Sequence, residues 1–192
     1  MQLQKFISLF CNNSHQLATY PTNINTLQKQ EAEKEFEKHI REHELLLYKV
    51  CRIYAYTDAD RQDLFQEIVI QLWKAYPKFK GGSKLSTWLY RVAINTAISG
   101  LRKKKILVKN YEPAAMPEPV GEYNDAHDEE ERLRQLYNAI EQLTAVEKAI
   151  VMLYMEDRPY EEMEEIIGLS QGNLRVKMNR IKEKLRQLTK NY

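Results

Sequence analysis

The sequence predicts an all-α chain: two small helical domains joined by a flexible acidic linker. Three observations carry that expectation. Apolar residues recur at three- and four-residue intervals in two long blocks, no stretch sustains the two-residue alternation of a strand, and composition breaks sharply between the blocks. From Glu112 to Glu131 there are three prolines, eight acidic residues and no Lys or Arg, which suits solvated chain and not a packed element. The domains are therefore expected over 28–108 and 132–192, with the linker at 109–131 and an N-terminal arm at 1–27.

The arm is rich in Asn, Gln, Thr and Ser and reads as flexible. Its opening MQLQKFISLFCNN has one Lys before a short apolar patch and no small-residue cleavage site, so it does not read as a signal peptide. From about Gln28 a helical pattern places Phe36, Ile40, Leu47, Val50 and Tyr54 on one side. YTDADRQ interrupts it, and Thr57 or Asp58 can cap the helix that follows. That helix, DLFQEIVIQLWKAY, has a stripe of Leu64, Ile68, Leu72 and Tyr76 with Phe65 and Trp73 beside it. Asp63, Gln66, Glu67 and Gln71 form its polar face, either a surface for a protein partner or a plain solvated face. Pro77 and Gly81-Gly82 end it in the basic loop PKFKGGSK. Ser83 or Ser86 can cap the next helix, TWLYRVAINTAISGLRKKK, whose terminal basic run suits the negative end of a helix dipole.

In the second block LTAVEKAIVMLY is helical, Arg158-Pro159-Tyr160 turns, and YEEMEEIIG is a short helix ending at Gly168, where a left-handed residue is expected. Leu169 fills the corner and Ser170 is placed to cap a final helix. Helix, glycine-containing turn and helix in that order read as a helix-turn-helix. In the last helix Leu174, Met178, Ile181, Leu185 and Leu188 form one narrow stripe, which a zipper seam would also show, though over more heptads. Gln171, Asn173, Arg175, Lys177, Arg180 and Lys184 lie off the stripe. Such side chains can pair with base edges in the major groove, while the helix N-terminus and Ser170 can take phosphate oxygen.

The chain has 192 residues, 43% hydrophobic and 29% charged, as in soluble helix-rich proteins, and no apolar run approaches a membrane span. Two distant cysteines, Cys11 and Cys51, suggest no disulfide framework and point to a reducing, cytoplasmic setting. The net charge is only +2, yet it is strongly segregated. Arg61 to Lys105 has ten basic residues against two acidic, and Gln171 to Tyr192 has seven against one. Glu112 to Glu131 has eight acidic residues and no Lys or Arg, and Glu156 to Glu165 has six acidic residues against Arg158. A polyanion would meet favourable potential at both basic patches.

Taken together, DRQDLFQEIVIQLWKAYPKFKGGSKLSTWLYRVAINTAISGLRKKK resembles region two of bacterial RNA polymerase sigma factors of the extracytoplasmic-function class. LTAVEKAIVMLYMEDRPYEEMEEIIGLSQGNLRVKMNRIKEKLRQL is similar to their region four. The DLxQExxxxLW helix, the WLYRxAxN helix and the later helix-turn-helix form a specific combination in the right order. The resemblance implies a chain that binds core RNA polymerase and directs promoter recognition, melting and transcription initiation, with no enzymatic activity and no cofactor. It implies that Asp63, Gln66, Glu67 and Trp73 meet core polymerase. It implies that Lys78, Lys80, Lys84, Trp88, Arg91 and Asn95 serve the minus-ten element, where an unstacked base needs a charged groove and a polar or aromatic pocket. Trp88 can stack on a base or lie in the core, and Tyr90 stays open between the two. Ser170, Gln171, Asn173, Arg175, Lys177 and Arg180 correspond to the reader of the minus-thirty-five element. The linker corresponds to the segment that threads the polymerase cleft, and an anti-sigma factor is an implied further partner. Leu174-Arg175-Val176-Lys177 departs from the family's Val-Lys-Ser-Arg pattern, so base preference does not transfer there.

Two rival readings follow from the residues. His39-Ile40-Arg41-Glu42-His43 has H-x-x-E-H spacing, which on one helix brings two imidazoles a turn apart for zinc, with no third ligand singled out downstream. A stand-alone helix-turn-helix regulator would bind DNA without polymerase.

Overall fold

The computed structural model describes residues 26–108, 135–136 and 138–190. The arm up to residue 25 and the acidic linker at 109–131 lie outside the described residues. Among the described residues there are helices and turns and no strand.

The first block forms α1 (Thr26–Glu42), α2 (Glu44–Tyr54), α3 (Asp58–Ala75) and α4 (Leu85–Val108). One pattern from Gln28 to Tyr54 predicts a single helix, but the backbone breaks at His43, whose φ of −115° and ψ of 17° leave the helical region. Its ring Nδ1 lies 3.0 Å from the carbonyl oxygen of His39. The imidazole is thus turned onto the backbone at a break between helices, which corrects the uninterrupted helix assumed for the H-x-x-E-H reading. Among the described residues no three His, Cys, Asp or Glu side chains cluster as metal ligands do.

Thr57 is the cap of α3, its hydroxyl accepting from the Asp60 N–H at 3.0 Å. Neither serine caps α4: Ser86 lies inside its first turn, and the Lys84 carbonyl accepts from the Trp88 N–H at 3.1 Å. Phe36, Leu47, Val50, Phe65, Leu72 and Ile94 fill the core where α2, α3 and α4 close on one another. Trp73 packs edge-on against Phe36 with ring centroids 4.9 Å apart. Cys51 is wholly buried in this core, which pushes its thiol up to about 12.

The second block forms α5 (Ala145–Met155), α6 (Tyr160–Ile167) and α7 (Gln171–Lys190), preceded by a helical turn at 138–141. A capping box that motif reading passed over starts α5. Thr144 Oγ1 accepts from the Glu147 N–H at 3.3 Å while the Glu147 carboxylate accepts from the Thr144 N–H at 2.8 Å. Burial opposes ionisation of Glu147, but the Thr144 bonds and Lys184, 3.3 Å away, outweigh it and lower its pKa. Gly168 ends α6 with φ 79° and ψ 20°, the left-handed cap expected, where a Cβ would be strained. Leu174, Met178 and Ile181 are buried against α5 and α6, and Leu185 packs beside them. The stripe therefore belongs to its own domain's core, which answers the zipper alternative.

The two blocks do not stand apart. Their apolar residues form one continuous core, and a polar seam joins α2 and α4 to α5 and α6. Tyr54 Oη donates to the Ala145 carbonyl at 2.7 Å, and Thr87 Oγ1 donates to Glu162 Oε1 at 2.8 Å. Arg158 donates to the same carboxylate oxygen at 3.1 Å and lies 5.2 Å from the centroid of the Tyr90 ring. Lys148 Nζ donates to Tyr56 Oη at 3.2 Å, and Lys49 pairs with Glu156.

Three measurements check this packing. Thr144→Ala removes the cap and is expected to cost about 1 kcal/mol, read by denaturant melts. The ionised Glu147 stabilises above the ordinary carboxylate range, and that contribution is lost as pH falls through its lowered folded value. Glu147→Gln therefore flattens that part of the acid-unfolding curve. Cys51 is expected to resist alkylation at neutral pH in the native chain and to react on unfolding, read by mass spectrometry with Cys11→Ser as background.

Candidate nucleic-acid and protein interfaces

The first surface is α7. Its buried stripe turns the opposite side outward, so Asn173, Arg175, Lys177 and Arg180 are exposed, with Gln171 partly so. Ser170 stands just ahead of the helix, its carbonyl accepting from the Leu174 N–H at 2.9 Å. The guanidinium of Arg175 lies 4.9 Å from the Tyr160 ring centroid and 3.5 Å from Gln171 Oε1. Stacking on Tyr160 limits the rotamers of Arg175 and holds its fork at the α6–α7 corner. Val176 is 51% exposed between Arg175 and Lys177, an apolar group at a position that water would not favour. In the sequence Val176 shows only as a departure from a pattern, because exposure of one residue depends on how the helix docks. Arg, Lys, Asn and a methyl-bearing side chain on one exposed helix face match the donors and apolar contacts that a major groove accepts.

The second surface is the basic loop and the start of α4. A 3-10 turn, Tyr76–Lys78, follows α3, and the Phe79 N–H donates to the Tyr76 carbonyl at 2.9 Å. Phe79 packs on Trp88 at 4.9 Å, and Tyr76 lies 6.4 Å from the same ring, so aromatic contacts anchor the loop at its base. Gly81 has φ 71°, a conformation that favours glycine. Lys78, Lys80 and Lys84 are exposed on this loop. Arg91 and Asn95 follow on exposed, successive turns of α4, so charge and an amide share one side. Trp88 belongs to the same set by spacing, but it is only 6% exposed. Its ring supports Phe79 and the loop from beneath, which corrects its place among the contact residues. Tyr90 is buried too, in the seam, where burial raises its hydroxyl pKa against the opposing effect of Arg158.

The third surface is the polar side of α3. Asp63, Gln66 and Glu67 are exposed, and Glu67 accepts from Gln71 Nε2 at 2.8 Å. Trp73 is the exception: at 1% exposure it sits behind this face and cannot touch a partner without repacking. It positions α3 and leaves contact to the others. Asp60, Asp63 and Glu67 rim a cleft of about 400 Å³ floored by Tyr54, Leu64 and Leu101. Carboxylates around an apolar floor suit an amphipathic basic segment of another protein.

Comparison with known proteins finds matches on both helical blocks. A family model for sigma-70 region 2 matches residues 39–106, and one for sigma-70 region 4 matches residues 133–185. The ECF RNA polymerase sigma factor SigG of Mycobacterium tuberculosis is 43% identical over 61 residues, 30% of this chain and 16% of that protein, so the chain spans under a fifth of that relative. RNA polymerase sigma factor SigV of Bacillus subtilis is 26% identical over 79% of this chain and 89% of its own length. The ECF RNA polymerase sigma-E factor of Escherichia coli is 28% identical over 65% of this chain and 71% of its own. Among solved structures, the sigma factor RpoE in complex with the anti-sigma factor NepR from Bartonella quintana shares the fold, with a TM-score of 0.63 over 82% of this chain and 98% of that one, at 21% identity. With both region models matched in order on the two helical blocks, together over more than half its length, the chain belongs to the sigma-70 family, in its ECF class.

Proposed function

We propose that this chain is a sigma factor: it binds core RNA polymerase and directs it to the promoters of a specific regulon. The observation that carries the reading is the pair of exposed basic, DNA-compatible surfaces, one in each domain, beside an acidic cleft fit for a protein. In this reading residues 28–108 and 132–192 are the working domains, 109–131 connects them and 1–27 is an appended arm. Asp63, Gln66 and Glu67 face core polymerase. Lys78, Lys80, Lys84, Arg91 and Asn95 hold the minus-ten strand and an unpaired base. Ser170, Gln171, Asn173, Arg175, Lys177 and Arg180 engage the minus-thirty-five duplex, and Val176 meets a thymine methyl. The relative from Bartonella quintana was solved with an anti-sigma factor, and a masking protein of that kind suits this chain as well. No helix among the described residues is long and apolar enough to cross a membrane. The protein acts by positioning polymerase, without chemistry of its own, in the cytoplasm where polymerase works.

Purified chain added to core polymerase is expected to start transcription at defined promoters; tight duplex binding by the free chain with no specificity gained by polymerase would favour the stand-alone regulator instead. Asp63→Lys with Glu67→Lys is expected to weaken core affinity by about tenfold or more while circular dichroism stays unchanged. Arg175→Ala is expected to cost roughly 1–3 kcal/mol in promoter affinity and to relax preference at one base pair. Lys80→Ala should instead weaken binding evenly across sequences and lower the salt slope by about one.

A further inference from the structure

We propose that segment 1–10 of the chain's own arm occupies the α3 cleft when polymerase is not bound, so that core polymerase must displace it. The inference rests on the sigma-factor reading for what the segment competes with, and on the cleft and the arm for the contact itself.

The cleft is an apolar floor inside a rim of carboxylates. Tyr54 Oη is engaged by the Ala145 carbonyl at 2.7 Å, so Tyr54 offers the cleft its ring, together with Leu64 and Leu101. Asp60, Asp63 and Glu67 stand around that floor, and Tyr56, 50% exposed, lines one side. A volume of about 400 Å³ lies in the range that takes a drug-sized group, enough for a pair of large apolar side chains. An occupant therefore needs apolar groups to cover the floor and positive charge, or at least no negative charge, to pass the rim.

The arm has that composition. Leu3, Phe6, Ile7 and Phe10 stand at i, i+3, i+4 and i+7, the spacing of one apolar helix side, with Lys5 among them. Residues 1–25 contain Lys5 and His15 and no Asp or Glu; the first acidic residue of the chain is Glu31. The segment thus approaches three carboxylates without like-charge repulsion, whereas the linker at 109–131, with eight acidic residues, has the wrong sign. Reach is sufficient. Fifteen residues, 11–25, separate the segment from α1 and span about 50 Å when extended. A domain of about 80 residues is roughly 30 Å across, so the segment reaches the cleft from any side of it. A tether of that length holds the segment at an effective concentration on the order of 1 mM. A contact with a dissociation constant of about 0.1 mM then keeps the cleft about nine-tenths filled and weakens core binding about tenfold.

The test is a distance measurement on the full chain, with spin labels on the native Cys11 beside the segment and on Gln62→Cys beside the cleft. Cys51 is buried and stays unlabelled. The chain with its arm unaltered is expected to show mainly one short distance. Phe6→Ser with Phe10→Ser is expected to lower the ratio of short to long distances about tenfold, and to raise affinity for core polymerase about tenfold. Gly100→Met fills the cleft from the α4 side, where an added Cβ meets no atom within 4 Å, and is expected to lower that ratio as well. A long, broad distribution in the chain with its arm unaltered overturns the docking, as do variants identical to it. Unchanged core affinity in the double Phe variant overturns the competition. A short distance in a mixture of chains labelled singly, one at Cys11 and one at Gln62→Cys, also overturns the proposal, because the occupant is then the arm of a second copy. Failure of the sigma reading is seen separately, as a short distance that the Phe substitutions abolish in a chain with no affinity for core polymerase.

Discussion

A run of aromatic contacts, from Trp73 to Phe36, on to Tyr76, then Trp88 and Phe79, is the constraint on which the first domain's surfaces depend. It ties α1, α3, the 3-10 turn, the basic loop and α4 into one body. Each edge or tilted ring pair contributes about 0.5–1.5 kcal/mol beyond the area it buries, and the rings admit few alternative packings. Because Trp73 and Trp88 point inward, Asp63 and Glu67 point out on one side and Lys78 to Lys84 fan out on another. The two tryptophans therefore set the position of the exposed side chains around them.

Charge segregation is the second organising feature. A chain with a net charge of +2 gains little from its total, so each function needs its own local field. The basic loop and α7 offer potential to a polyanion, the α3 cleft offers carboxylates to a basic protein segment, and the acidic segment on α6 meets the first domain. Three distinct local fields thus sit on one nearly neutral molecule, and one of them is met by the molecule's own first domain.

Much of this was legible in the residues. Periodicity located α5 to α7 within a residue or two and the bodies of α3 and α4, whose ends run up to five residues beyond the apolar pattern, because a helix that buries one side must repeat every three to four positions. Gly168 and Thr57 announced their roles through backbone conformation and capping, both local. The missed features are the ones with no local signature. The break at His43 interrupts an apolar pattern that continues on both sides of it, so periodicity alone cannot see it. Trp73 and Trp88 stand next to polar contact residues in sequence, and only packing shows that each leans away from them. Stacking of Arg175 on Tyr160 joins two helices across the Gly168 corner, and the exposure of Val176 follows from how that corner is built.

By itself, the sequence determined the helices, the order of the two domains and which faces carry charge. Those properties rest on interactions a few residues apart, which any sequence displays as spacing. Tertiary structure alone decided that the domains share a core and a seam. Thr87 and Glu162 are 75 positions apart, Tyr54 and Ala145 are 91, and nothing in either neighbourhood names its partner. A contact of that kind is selected by the shape and polarity of two completed surfaces, and those exist only once each domain has folded.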